Sequence, residues 1–126
     1  MKEDCEEHLV RAEELLKVAE NLLVSGFVAD SIGRSYYAMH HAARAVLLDM
    51  GMDRKSHRAV WAAFGEHVTL KGLVTKGLHR YALDTFSARI RSDYSAHPVE
   101  TTEDATKFLE YAREFVPACR ELLESD

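Results

Sequence analysis

Apolar residues recur along most of the chain at alternating spacings of three and four, the rhythm of one buried helix face. Leu9, Ala12, Leu16, Ala19 and Leu23 form the first stripe, with Glu6, Glu13, Glu14 and Glu20 lying off it. Ser25-Gly26 ends this segment, the glycine supplying a left-handed cap. A second helix is predicted from about Val28 to Met50, with Ile32, Tyr36, Met39, Ala43, Val46 and Met50 on one side. Ala38, Ala42 and Ala45 keep a neighbouring face small, so other helices are expected to approach it from several directions. Gly33 costs up to roughly 1 kcal/mol inside such a helix, and close helix packing is the expected reason for it. Gly51 closes the segment.

Ser56 is a good N-cap for a shorter third helix through Val60, Phe64 and Val68, ended by Gly72. A fourth is predicted from about Leu78 to Ser95, with Leu78, Ala82, Thr85, Phe86 and Arg89 on one side. Pro98 disfavours helical backbone at His97, so this helix should stop at or just before that histidine. Thr101 or Thr102 caps the last helix, whose stripe is Ala105, Phe108, Ala112, Phe115, Cys119 and Leu122. Pro117 is expected to kink or fray its end. No segment alternates as a strand does, and no repeat of 20–50 residues is visible. The expected architecture is all-α, an up-and-down bundle of four long helices and one short one, forming one domain over residues 1–126.

Composition narrows the class. At 126 residues, 47% hydrophobic and 29% charged, the chain is an ordinary globular one. The longest uncharged apolar stretch, Ala59 to Phe64, is far short of a membrane helix. The opening MKEDCEEH is too acidic for a secretory leader. Cys5 and Cys119, at opposite ends, make no disulfide framework, so a reducing cytoplasm is expected. The net charge of −5 conceals an uneven distribution. Residues 1–30 carry 3 Lys/Arg against 8 Asp/Glu, residues 31–97 carry 10 against 5, and residues 98–126 carry 3 against 8. The middle of the chain can attract phosphate, or the acidic ends can simply be solvated helix faces.

The seven histidines, at positions 8, 40, 41, 57, 67, 79 and 97, include no pair three or four apart, and neither HExxH nor CxxC occurs. Metal ligation is therefore not expected. Neither GxGxxG nor GxxxxGK[ST] is present, so no cofactor-binding loop is expected. Cys119 lies on an apolar stripe, as a small buried hydrophobe does. Tyr36 most simply packs in the core, and His40 and His41 are more simply structural than catalytic.

The concentrated signal is RIRSDYSAHP, Arg89 to Pro98. Arg89 and Asp93 are spaced for a surface ion pair. Arg91 and His97, six apart, face different ways on a continuous helix, but a break at His97 lets the imidazole fold back. Arginine beside histidine suits phosphodiester chemistry: guanidinium binds non-bridging oxygens, and imidazole exchanges protons near neutrality.

Ser35-Tyr36-Tyr37-Ala38-Met39-His40-His41-Ala42-Ala43-Arg44-Ala45-Val46-Leu47, followed by Ile90-Arg91-Ser92-Asp93-Tyr94 and then EDATKFLEYAREFV, resembles the HEPN domain family. The likeness covers nearly the whole chain and is closest to the small stand-alone archaeal and bacterial branch. It implies a helical bundle that forms homodimers and is often encoded beside a minimal nucleotidyltransferase in toxin–antitoxin pairs. Catalytic members are metal-independent endoribonucleases with an Arg-x4-6-His motif completed by dimerisation. Carried onto this sequence, Arg91 is the phosphate-stabilising arginine and His97 the general acid/base. Ser92 falls where the family favours a polar residue, and Asp93 and Tyr94 are placed to orient RNA or brace the helix end. Arg89, Arg80 and Lys76 are candidate backbone contacts.

Three functions compete at this point. The first is an RNase working in a dimer cleft. The second is a non-catalytic subunit that binds a nucleotide or a partner nucleotidyltransferase, in which Tyr94 accepts a nucleotidyl group. The third is a helical scaffold whose motifs only specify packing.

Overall fold

The computed structural model describes residues 1–125. Five α-helices follow one another: α1 Glu3–Val24, α2 Val28–Asp49, α3 His57–Phe64, α4 Leu78–Tyr94 and α5 Thr102–Glu124. No strand occurs among the described residues. Four long helices and one short one are what the periodicity predicts. The boundaries follow from capping chemistry. Gly26 and Gly51 adopt φ of 87° and 81°, the left-handed conformation that ends α1 and α2 without a Cβ penalty. The Ser56 side chain accepts from the Ala59 amide to start α3. Thr101 and Asp104 start α5 with a reciprocal pair of bonds, the Thr101 hydroxyl accepting from one amide and the Asp104 carboxylate from the other.

Helix α2 is the hub, packing against each of the other four. Its small residues Ala38, Ala42, Ala43 and Ala45 are all buried, as an element approached from several sides requires. Leu9, Leu15, Tyr36, Met39, Leu47, Val60, Phe64 and Phe115 fill the main core from α1, α2, α3 and α5. Each such side chain, fully buried, contributes about 1.5–3 kcal/mol. A second cluster of Ile32, Ala88, Ala105 and Phe108 sits where α2, α4 and α5 meet. Tyr81 on α4 stacks face to face on Tyr111 of α5, with centroids 3.9 Å apart. These contacts fix α4 against α5 and so place the corner between them.

Three local expectations are revised. The third helix does not run on as regular α-helix. Its continuation, Gly65–Thr69, is π-helical and closes on a bond from the Leu70 amide to the Gly65 carbonyl. The His79 ring lies against Gly65, where a Cβ would stand 3.0 Å from its Cε1, and His79 Nε2 is 3.0 Å from the Trp61 carbonyl. Pro117 does not fray α5, which continues to Glu124. Beyond the proline, Arg120 grips Glu13 of α1 through Nε (2.7 Å) and Nη2 (3.0 Å), and also bonds Glu6, so tertiary pairing holds the last turns. Gly33 is not demanded by close packing. A Cβ there would meet only Arg89 Cγ, at 4.0 Å.

No helix is long and apolar enough to cross a membrane among the described residues. Cys5 and Cys119 are both buried free thiols, and burial pushes both up from the usual thiol range.

Candidate functional site

Two groups of polar and titratable side chains stand out. The first lies inside the bundle. On α2, Tyr36 places its hydroxyl between α3 residues, because His57 and Trp61 are one helical turn apart and face the same way. The Trp61 indole donates to Tyr36 Oη at 2.9 Å, which leaves the Tyr36 hydroxyl hydrogen for His57 Nδ1 at 2.6 Å. Burial raises the Tyr36 phenol above its ordinary range. His40 packs 4.6 Å from His57, and its Nε2 is buried with no partner. Desolvation, reinforced by neighbouring histidines, pushes His40 down to about 3. His8 and His41 meet Nδ1 to Nδ1 at 2.9 Å, so at least one ring must be neutral to accept. Burial and the facing His8 lower His41 to about 4. His8 is lowered by burial and by Arg44, and His57 by burial and by Arg89.

The second group lies at the exposed corner between α4 and α5. The side chain of Arg91, in the last turn of α4, is 60% exposed and makes no hydrogen bond among the described residues. Its ion pair is with Glu100, Nε to Oε1 at 3.5 Å. His97 is exposed in the irregular segment of residues 95–101. The helix ends at Tyr94, three residues before the histidine, so the break that the arginine–histidine pairing needs is present. No direct hydrogen bond joins Arg91 to His97 among the described residues. Tyr94 is 84% exposed. Ile90, Arg91, Tyr94, Ser95, Val99 and Glu100 line an open cleft of about 480 Å³.

The remaining predicted residues divide. Arg89 is 20% exposed; it pairs with Asp93 at 3.0 Å and lies 4.8 Å over the Tyr37 ring, so it braces α4 against α2. Ser92 is buried and its hydroxyl has no partner. Arg80 pairs with Asp84 at 3.4 Å. The spacing of Arg89 and Asp93 announced their pair, whereas Glu100 carried no signal in the sequence. Nor did the contacts of Tyr36 with His57 and Trp61, which are 21 and 25 residues away. No group of three or more His, Cys, Asp or Glu residues is placed to hold a metal ion among the described residues.

Known proteins are similar to this chain. A protein of Gloeobacter violaceus named UPF0332 protein glr0978 is 33% identical over 114 residues, 90% of each chain. The UPF0332 protein PH1297 of Pyrococcus horikoshii is 40% identical over 79 residues, 63% of this chain and 56% of that one. A Methanocaldococcus jannaschii protein bearing the name "Putative toxin MJ0605" is 27% identical over 124 residues, 98% of this chain and 92% of its own. The profile of the HEPN domain matches residues 5–122, from the first turn of α1 to the last turns of α5. The chain belongs to the HEPN domain family.

Proposed function

We propose that this HEPN protein is a metal-independent endoribonuclease of the toxin type, acting through Arg91 and His97 in the cleft of a homodimer. One observation carries the reading: Arg91 is exposed with its guanidinium free of hydrogen bonds among the described residues, at the helix end from which the exposed His97 segment departs. A free guanidinium fork suits the non-bridging oxygens of a phosphodiester and the negative charge that grows on them as phosphorus becomes five-coordinate. The ribose 2′-oxygen attacks phosphorus while a neutral His97 imidazole takes its proton. The bond to the 5′-oxygen breaks, and a protonated imidazole, the partner copy's equivalent in the dimer, returns a proton to it. The products are a 2′,3′-cyclic phosphate and a 5′-hydroxyl end. The toxin name of the Methanocaldococcus relative supports the same reading.

The test is incubation of purified protein with mixed RNA in EDTA beside Arg91→Ala and His97→Ala. Wild type alone should cleave and leave cyclic phosphate ends; cleavage by His97→Ala at the wild-type rate overturns the assignment.

A second reading is favoured by the exposure of Tyr94 on the rim of the corner cleft. Here the protein is a non-catalytic subunit that binds a nucleotide or a minimal nucleotidyltransferase, with Tyr94 as acceptor of a nucleotidyl group. Co-expression with such an enzyme and intact-mass measurement decides it. A nucleotidyl mass increment lost in Tyr94→Phe supports this reading, and an unchanged mass opposes it. Both readings place the protein in the cytoplasm.

A further inference from the structure

The side chain of Glu100 is 5% exposed, and both of its carboxylate oxygens are buried without a hydrogen bond among the described residues. Burying a carboxyl group with so few partners is costly. The residues on either side, Val99 and Thr101, are exposed, so the backbone had an outward-facing alternative one position away. A carboxylate in this place would ordinarily be explained as a cap for the next helix. That role is already filled: Thr101 and Asp104 satisfy each other's amides at the start of α5. The one cation within 4.0 Å of Glu100 among the described residues is Arg91. Arg89, one turn fraction away on α4, is committed to Asp93 and Tyr37.

The pairing has two geometric effects. The chain leaves α4 after Tyr94 and is tied back to it at Glu100, so the ion pair closes a short loop with His97 inside it. The nearest approach is also to Nε, at the root of the guanidinium, and no side-chain N–H of Arg91 makes a hydrogen bond among the described residues. The terminal amino groups thus keep their capacity for an incoming anion.

We propose that Glu100 is a positioning residue for the Arg91/His97 site. Its carboxylate orients the Arg91 guanidinium toward the cleft beside Tyr94 and holds the His97 loop at a fixed distance from it. This rests on the reading of Arg91 and His97 given above. Such a carboxylate behind an arginine fixes the group that touches substrate without touching substrate itself.

The experiment follows the Arg91 Nε–Hε resonance in ¹H–¹⁵N spectra of wild type, Glu100→Gln and Glu100→Asp, each titrated with 2′-O-methyl RNA. That probe lacks the attacking hydroxyl, so binding is read without cleavage. In wild type the resonance should be resolved from the solvent-exposed arginines and should move as RNA is added. In Glu100→Gln it should collapse onto the exposed arginines, and in Glu100→Asp it should return part of the way. With cleavable RNA, Glu100→Gln should lose up to about 100-fold in kcat with a smaller change in KM, and Glu100→Asp should recover part of the loss. An Arg91 resonance identical in wild type and Glu100→Gln overturns the proposal. Wild type that cleaves no RNA would remove the nuclease reading alone, since the resonance comparison still decides whether Glu100 orders Arg91.

Discussion

Four histidines crowd around α2 at the edge of the interior, His40 buried and His8, His41 and His57 half-buried, and one stands exposed on the loop between α4 and α5. By count of titratable groups the interior looks like the place for chemistry. Its geometry argues otherwise. His57 is engaged by Tyr36, His8 and His41 by each other, and burial holds His40 and His41 neutral far below the pH of a cell. A histidine that is buried, or whose ring nitrogen is already held by a neighbour, is a poor proton carrier. At the corner, Arg91 and His97 are exposed, and the guanidinium is free of hydrogen bonds. In the proposed reading, accessibility separates the histidine that reacts from those that pack, where residue type alone does not.

The contrast breaks most visibly if the corner is emptied. Arg91→Ala and His97→Ala should each lower RNA cleavage by about 100-fold or more, as measured by end-labelled RNA kinetics; in thermal unfolding the melting temperature should be unchanged for His97→Ala and lowered for Arg91→Ala, which strips the buried Glu100 of its cation. The interior should respond in the opposite sense. Tyr36→Phe removes the acceptor of the Trp61 N–H and the partner of His57, and should cost about 1–3 kcal/mol in urea unfolding while the cleavage rate of the folded enzyme persists.

Acid sharpens the same comparison. Unfolded histidines take up protons near pH 6.5, whereas His40 and His41 in the fold do so at about 3 and about 4. Between those limits the unfolded chain binds more protons, so stability is full above about 6.5 and falls as the pH drops toward 4. Urea midpoints at pH 7, 6, 5 and 4.5 should decline steadily, and the decline should flatten in a His40→Gln, His41→Gln double variant. The smallest effect is expected at Gly33, beside the Arg89 stem. Gly33→Ala should raise stability by up to about 1 kcal/mol in the same assay, because the added methyl meets only Arg89 Cγ at 4.0 Å.

The helices were legible because their signals are local. Alternating apolar spacing, the glycines at 26 and 51, Ser56 and the Thr101–Thr102 pair, of which Thr101 proves to be the cap, all act within a turn or two of where they stand. The Arg89–Asp93 pair was legible for the same reason. What escaped depends on contacts between distant segments. The π-helical turn at Gly65–Thr69 is shaped beside His79. The turns of α5 after Pro117 are secured by Arg120 reaching α1, more than 100 residues away in sequence. At the corner, Arg91 and His97 were visible as residue types near a helix break. Glu100 was not, because an irregular loop has no periodicity to mark which of its side chains turns inward.

The most direct test compares one residue from each region in a single assay, with His97→Ala and Tyr36→Phe incubated with RNA in EDTA beside wild type and their unfolding followed in parallel. The expected result is loss of cleavage with unchanged stability for His97→Ala, and retained cleavage with reduced stability for Tyr36→Phe. Retained cleavage in His97→Ala together with a loss in folded Tyr36→Phe would place the chemistry in the interior and contradict the account.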